Sequence, residues 1–432
     1  MKHQNALIGV MDPNSYSFRV AFEKLLAFAN PKIKYKKKSY NVTSRRITTR
    51  PYDILHAECP YKAIINRGAH WNPHHNSFFM TIGYQTYLLN DMITFEAINK
   101  NTSYGHMYKL GLNIPKTIAL PQQSYDKLKK DNKAIPELIF SEHEFFSIEE
   151  IGEEVGYPAF LKPQSGGGWV GVVKVDNPEE LLTAYNKSGS KPMNLQKAID
   201  YREFVRTVGV GPQMMPMHYN ASAEHSHDRY MRNEFESVEL NFLTAEEEDE
   251  IKKICKIINS FYGWDHNSCE SLIGHDNIIY PIDFANAYPD STLTSLHFHF
   301  PDLVKNMAKW LIFCAVTEKK RSYNFARNWP RYFAIAEDGS LSYKEKLDKY
   351  TEIADEYFET KKFEEFCSKY LTSFDEKAYE FFASEEFFNI IDREVDYYFS
   401  IPSERPEKKQ HYRGIHHYWL SLEEKKLGRE TN

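Results

Sequence analysis

Cysteine is scarce in this chain and scattered. There are five in 432 residues, at Cys59, Cys255, Cys269, Cys314 and Cys367, and none forms a CxxC pair. That argues against a disulfide framework or a zinc ribbon and fits a reducing compartment. Also missing is any apolar run of about 18 residues, so no membrane-spanning helix is expected. The opening "MKHQNALIGVMDPNSYSF" has too short an apolar stretch for a secretory signal, and Asp12-Pro13 interrupts it. Cytoplasm is the expected location. No charge sign dominates either: 54 Lys and Arg stand against 60 Asp and Glu, a net charge of -6. Nucleic acid is therefore not expected as a partner, and the basic run "KIKYKKK" (Lys32 to Lys38) reads as a solvated face. No GxxxxGK[ST] occurs, which excludes a P-loop. Internal repeats and low-complexity tracts are absent as well.

What is present suits a globular protein: 42% hydrophobic and 26% charged residues, over a length that accommodates about two to four domains. Residues 1–89 alternate strand-like runs ("NALIGVM", "YDILHAE", "YKAIINR") with the amphipathic "SFRVAFEKLLAFAN", and so read as a small α/β domain. Residues 90–300 carry the clearest punctuation. A helical segment from Asn90 stops at Gly111, and "FSIEEIGEEVG" closes at Gly156. Asn177 caps a helix that starts at Pro178, and "LTAEEEDEIKKICKIINSFYG" runs from a Thr244 cap to Gly263. The strand-like runs between them predict an α+β layer, an antiparallel sheet with helices on one side. Residues 301–432, rich in Phe, Tyr, Glu and Lys, read as a helical C-terminal appendage with no evident chemistry.

The stretch "YPAFLKPQSGGGWVGVVKV" puts Lys162 inside an apolar run and follows it with Ser165, Gly166, Gly167 and Gly168. An edge-strand lysine before a hairpin turn is one reading. The other is phosphate binding, in which glycines admit backbone N–H groups and an ammonium neutralises charge. These glycines join two strands, whereas a dinucleotide fingerprint needs them between strand and helix. Further on, "CESLIGHDNIIYPIDFANAYPD" holds Glu270, Asp283 and Asn286. With Asp276-Asn277 taken as a two-residue turn, Glu270 falls opposite Asp283. Two facing carboxylates repel by up to about 1 kcal/mol, and a divalent cation removes that repulsion.

In these ordered motifs the chain resembles the ATP-grasp superfamily, the carboxylate–amine ligases similar to D-alanine–D-alanine ligase and glutathione synthetase. "INKNTSYGHMYKLGLNIPKT" looks like the family's first-lysine helix, which makes Lys100 the first ATP-phosphate lysine, and "GYPAFLKPQSGGGWVGVVKV" looks like its strand and glycine flap, which makes Lys162 the second. "LQKAIDYRE" resembles the adenine hinge at Gln196, Lys197, Ala198 and Ile199, with Glu203 where a ribose-binding acid lies. The resemblance implies an ATP-grasp fold behind an N-terminal pre-ATP-grasp domain. It also implies ATP and two magnesium ions (manganese as an alternative) held by Glu270, Asp283 and Asn286. It implies Arg206 as a further cation for an acyl phosphate, the alternative being a sheet-surface residue. The implied reaction joins a small-molecule carboxylate, amino acid or peptide-like, to an amine and releases ADP and phosphate; a homodimer is compatible with it. The chain departs from the pattern in three places: Gln196-Lys197 stand where a glutamate is common, Asn99 replaces an aspartate, and Asp283 and Asn286 are three apart instead of two. A bulge at Phe284-Ala285, or an early strand end, would put Asn286 back on the face of Asp283. Two other readings stay open: a non-catalytic ATP-binding module and an ATP-grasp kinase. "GPQMMPMHYNASAEHSHDRYMRNEF", with Arg229 and Arg232, lies where acceptors bind in such enzymes. His225 and His227 read as exposed residues before metal ligands, and "GAHWNPHHNSFF", with His70, His74 and His75, reads as packing before cleft lining.

Overall fold

The computed structural model describes residues 2–13, 15–97, 99–125, 144–166, 169–230, 238–286, 288–320 and 325–429. Thirteen strands lie among them: β1 Lys2–Met11, β2 Lys32–Tyr35, β3 Lys38–Arg46, β4 Ala63–Asn66, β5 Tyr87–Leu89, β6 Thr117–Leu120, β7 Ala159–Pro163, β8 Val173–Val175, β9 Met193–Lys197, β10 Tyr201–Val210, β11 Gln213–His218, β12 His266–Gly274 and β13 Ile279–Asn286. The helices up to residue 317 include α1 Tyr16–Ala29, α2 Pro73–Ile82, α3 Met92–Ala97, α4 Lys100–Lys109, α5 Ile148–Val155, α6 Pro178–Ser188, α7 Ala245–Tyr262 and α8 Phe300–Thr317. Further helices fill the C-terminal part as far as Lys426. The strands form three sheets, ordered β2-β3-β1-β4-β5, β6-β9-β7-β8 and β11-β10-β12-β13. This is a mixed α/β fold with a helical C-terminal region. No helix among the described residues is long and apolar enough to cross a membrane.

The chain folds as two compact units that interleave in sequence, one of residues 1–97, 204–269 and 286–432, the other of 98–203 and 270–285. In the first, β1 is buried from Ala6 to Met11 and pairs in parallel with β3 and β4. A strand covered on both faces needs such an unbroken apolar run. Helix α1 starts where Ser15 Oγ accepts from the Phe18 N–H and buries Phe18, Phe22 and Leu25 at helical spacing. Thr244 and Glu247 form a capping box on α7, and Gly263 ends it in the left-handed conformation. The "YDILHAE" run forms no strand; Asp53 there accepts from the N–H groups of Leu55 and His56 in a tight turn. The "KIKYKKK" run, by contrast, is β2 and a turn into β3.

The second unit has the antiparallel sheet expected from the sequence. Its apolar face, with Leu161, Leu195, Met193 and Val175, packs on Ile148 and Val155 of α5 and on Leu181 and Tyr185 of α6. Asn177 caps α6 with Pro178 in the first turn, Ser147 caps α5, and Gly156 closes it. The other face carries Lys162, Asn194, Gln196 and Thr117. Period-2 alternation alone produces this division.

In the first unit Arg67 and Asp12 form a buried ion pair. Arg67 Nε donates to Asp12 Oδ2 at 2.9 Å, Nη2 to the Pro289 carbonyl at 2.7 Å and Nη1 to His266 Nε2 at 3.1 Å. Burial and the neighbouring guanidinium push the His266 imidazole down to about 3, so it is neutral and donates from Nδ1 to Gly209 O. Asp12→Ala leaves that guanidinium buried without its carboxylate, and urea denaturation should show a loss of about 3–5 kcal/mol.

Candidate functional site

Every distance in this site lies within the second unit. Helix α4 begins at Lys100 because Asn99 caps it, its Oδ1 accepting from the Thr102 N–H at 3.0 Å. An aspartate, frequent at this position in the family the chain resembles, is an equally good capping residue. Residues four apart share a helix face, so Tyr104 comes up beside Lys100. Lys100 Nζ donates to Asp283 Oδ2 at 2.8 Å. Lys162 Nζ, from β7, donates to Tyr104 Oη at 2.9 Å, to Gln196 Oε1 at 2.8 Å and to the Ile282 carbonyl at 3.3 Å. Tyr104 Oη in turn donates to Ile282 O.

The electrostatics follow from burial. Removal from water pushes the Lys162 ammonium down to about 8; Asp283 and Glu270 pull it back up, and Lys100 lowers it further. The partners that touch Lys162 are all neutral, and both carboxylates act on it at longer range. The sequence missed Tyr104, although its place one turn after Lys100 was a usable signal. It placed Gln196 at the adenine hinge; the side chain of that residue spans Lys162 and Thr117 Oγ1 (2.7 Å).

The hairpin differs from expectation. Gly274 N–H donates to Ile278 O, Asn277 N–H donates to Gly274 O, and Asn277 takes φ 61°. The loop is thus three residues, His275 to Asn277, with the left-handed position at Asn277. Gly274 faces Ile278, and simple counting then sets Glu270 across from Ile282, not Asp283. Strand β13 runs on to Asn286, so the early strand end does not occur. Its burial alternation slips at Ile282–Asp283, where two half-buried residues follow one another.

Asp283 is the best candidate for holding a cation. One carboxylate oxygen takes the Lys100 ammonium, while Oδ1 is buried and has no hydrogen-bond partner among the described residues. Buried polar atoms are rarely left so. That orphan oxygen, with the Glu270 charge acting on the same lysine, fits a hard divalent ion. No group of three or more His, Cys, Asp or Glu able to hold a metal occurs among the described residues. Asn286 and Arg206 belong to the first unit. There the Asn286 Nδ2 donates to Ser268 Oγ at 2.8 Å, and Arg206 approaches the same oxygen at 3.3 Å.

A cavity of about 790 Å³ opens beside the hinge, lined by Phe160, Lys174, Lys197, Ala198, Ile199 and Tyr280 among others. The Lys197 N–H bonds Lys116 O and the Ala198 N–H bonds Pro158 O, so what these two residues offer a ligand is carbonyl oxygen. Glu203 lies half-buried on β10 and is not part of this lining. In the flap Ser165 and Gly166 are exposed, and Gly166 takes φ 113° with open space where a Cβ would stand. Gly167 and Gly168 lie outside the described residues, as does Arg232. Arg229 donates to Tyr219 Oη, and His227 packs on Tyr398 and Phe399. Asn72 caps α2 through the His74 and His75 N–H groups.

No protein-family profile matches the chain, and no curated protein does. The structure is similar to solved ATP-grasp structures, among them an ATP-grasp RimK domain protein from Sphaerobacter thermophilus. That match has 15% identity and TM-score 0.45 and covers 71% of this chain and 100% of the other. The macrocyclase MdnC with its precursor peptide MdnA, from Microcystis aeruginosa, is 14% identical at TM-score 0.47, covering 72% and 99%. D-alanine–D-alanine ligase from Bacillus anthracis, complexed with ATP, is 15% identical at TM-score 0.46, covering 74% and 100%. At such scores the likeness carries no weight for activity, which rests on the residues above.

The lowered Lys162 fixes a sign. Below pH 8 the folded protein holds a costly buried charge. Between about 8 and the 10.5 of a free lysine the unfolded chain binds a proton that the folded chain does not, so stability rises with pH. Denaturation midpoints from pH 7 to 10 should show this rise relative to Lys162→Met, in which the slope disappears.

Proposed function

We propose that this chain is an ATP-dependent carboxylate–amine ligase of the ATP-grasp type, working through an acyl phosphate. The observation that carries the reading is the meeting of Lys100, Lys162 and Asp283 on the Lys162 face of the β6-β9-β7-β8 sheet. Two ammonium groups there have few direct anionic partners, and a carboxylate oxygen is left over. The hinge cavity has the size of a nucleotide site. Phosphoryl transfer needs alignment and charge neutralisation more than covalent help, and this set of groups offers both.

In this reading the hinge cavity takes the nucleoside, and Lys100 and Lys162 take the phosphates. Lys100 exchanges Asp283 for a phosphate oxygen, which frees the carboxylate. Glu270 and Asp283 are the residues that would hold magnesium, whose contribution when bound is neutralisation of phosphate charge. The substrate carboxylate attacks the γ-phosphorus and ADP leaves. An amine then attacks the acyl carbon and inorganic phosphate leaves. The roles of Arg206 on the acyl phosphate and of Asn286 on the metal remain parts of the proposal.

The test is ADP release with amino acids and small peptides as acceptors, followed by mass analysis of the product. The expected result is ADP formation together with acceptor-dependent amide. Phosphorylated acceptor without amide would indicate a kinase, and ATP binding without ADP a non-catalytic module. Lys162→Met should keep the fold and lose about 100-fold or more of turnover, the scale of one preorganised charge contact. In the wild type, ATP affinity should fall as pH rises through about 8, because the ammonium that meets the phosphate is lost there.

A further inference from the structure

Two carboxamides sit two residues apart on β9, on the sheet face that carries Lys162. Gln196 is used at both ends, accepting from Lys162 and donating to Thr117 Oγ1. Asn194, fully buried, is used at neither: its Nδ2 and Oδ1 have no partner among the described residues. A buried amide with both donor and acceptor unmet, fixed on a central strand, is rare in a folded protein. The strand register shows where there is room around it. Asn194 pairs with Lys162 on one side and Ala119 on the other. The alanine leaves space, and a cavity of about 500 Å³ opens there. Asn194, Ala119, Tyr104, Tyr108 and Pro115 are among its walls. Asn101 of α4 lines it too, and its Oδ1 is likewise buried without a partner among the described residues. That volume lies within the range of small-molecule sites.

We propose that this cavity binds a small flat molecule with an adjacent hydrogen-bond donor and acceptor, such as a carboxamide, a lactam or the edge of a nucleobase. Asn194 meets that edge with its own donor and acceptor, and Asn101 Oδ1 takes a further N–H. The two tyrosine rings and Pro115 supply flat apolar walls. None of the hinge residues lines this cavity, so the site is separate from the one assigned to the nucleotide. Tyr104 touches both functions: its ring walls the cavity and its hydroxyl accepts from Lys162. An occupant therefore packs against the group that positions the lysine. The proposal stands whether or not the chain turns over ATP.

The experiment titrates the full chain with nicotinamide and with uracil, followed by ligand-observed NMR, with and without a saturating non-hydrolysable ATP analogue. At least one probe should bind and stay bound in the presence of the analogue. Asn194→Leu should weaken that binding by about tenfold or more with a melting temperature no lower than the wild type, since an apolar group replaces an unmet amide. Asn101→Ala gives a second reading on the same site should Asn194→Leu fail to fold. Failure of both probes to bind at millimolar concentration would overturn the proposal. So would binding unchanged in both variants, or displacement of the probe by the analogue.

Discussion

A lysine ammonium taken out of water must be solvated by the protein, and around Lys162 that requirement organises the second unit. Three acceptors reach it from three separate parts of the chain: the Tyr104 hydroxyl from α4, the Gln196 amide from β9 and the Ile282 carbonyl from β13. None is charged. A carboxylate in direct contact would have cancelled the ammonium and made a permanent ion pair, costly to break. Neutral acceptors solvate the group while Asp283 and Glu270 help keep it protonated from a distance. The charge thus stays available to an anion that arrives later.

Lys100 is arranged the other way, in direct contact with Asp283, so the two lysines are not equivalent. One is held ready and the other is in use. An anion bound between them gains from both only if Lys100 leaves its carboxylate. Asp283 would then carry an uncompensated charge as well as an orphan oxygen, and a divalent ion answers both needs at once. On the proposed reading, nucleotide and metal binding are coupled through this one exchange, which makes binding of either without the other unfavourable.

What the sequence made legible follows local chemistry. Asn177 and Thr244 cap their helices where a short polar side chain precedes an apolar period, and Gly156 and Gly263 end theirs with positive φ. The strands β7, β9, β12 and β13 were legible from apolar runs. Strand β11 was not, because Pro216 interrupts it. Yet β11 and β13, which contains Pro281, are the two edges of one sheet, where a missing N–H costs no ladder bond. Tyr104 escaped because an aromatic in a helix reads as core, and its hydroxyl matters only once Lys162 arrives from 58 positions away. The contact of Gln196 with Lys162 escaped for the same reason, since side-chain partners across strands depend on register.

The carboxylate pair shows how a choice of residues can rest on an incorrect count. Reading Asp276-Asn277 as a two-residue turn put Glu270 opposite Asp283, whereas the left-handed Asn277 adds a residue to the loop and moves the register by one. A regular ladder would then send the two side chains to opposite faces. Strand β13 is not regular there. Ile282 turns its carbonyl to Lys162 and Tyr104, Asp283 reaches Lys100, and Phe284 returns to the core against the Tyr104 ring. The slip lies two residues before the bulge anticipated at Phe284-Ala285, and it serves Asp283 before it could serve Asn286. Turn and strand irregularity offset one another, so both carboxylates act on the same ammonium even though no direct cross-strand pairing holds them. A periodic count cannot register that compensation, because it is set by what Ile282 and Asp283 touch across the unit.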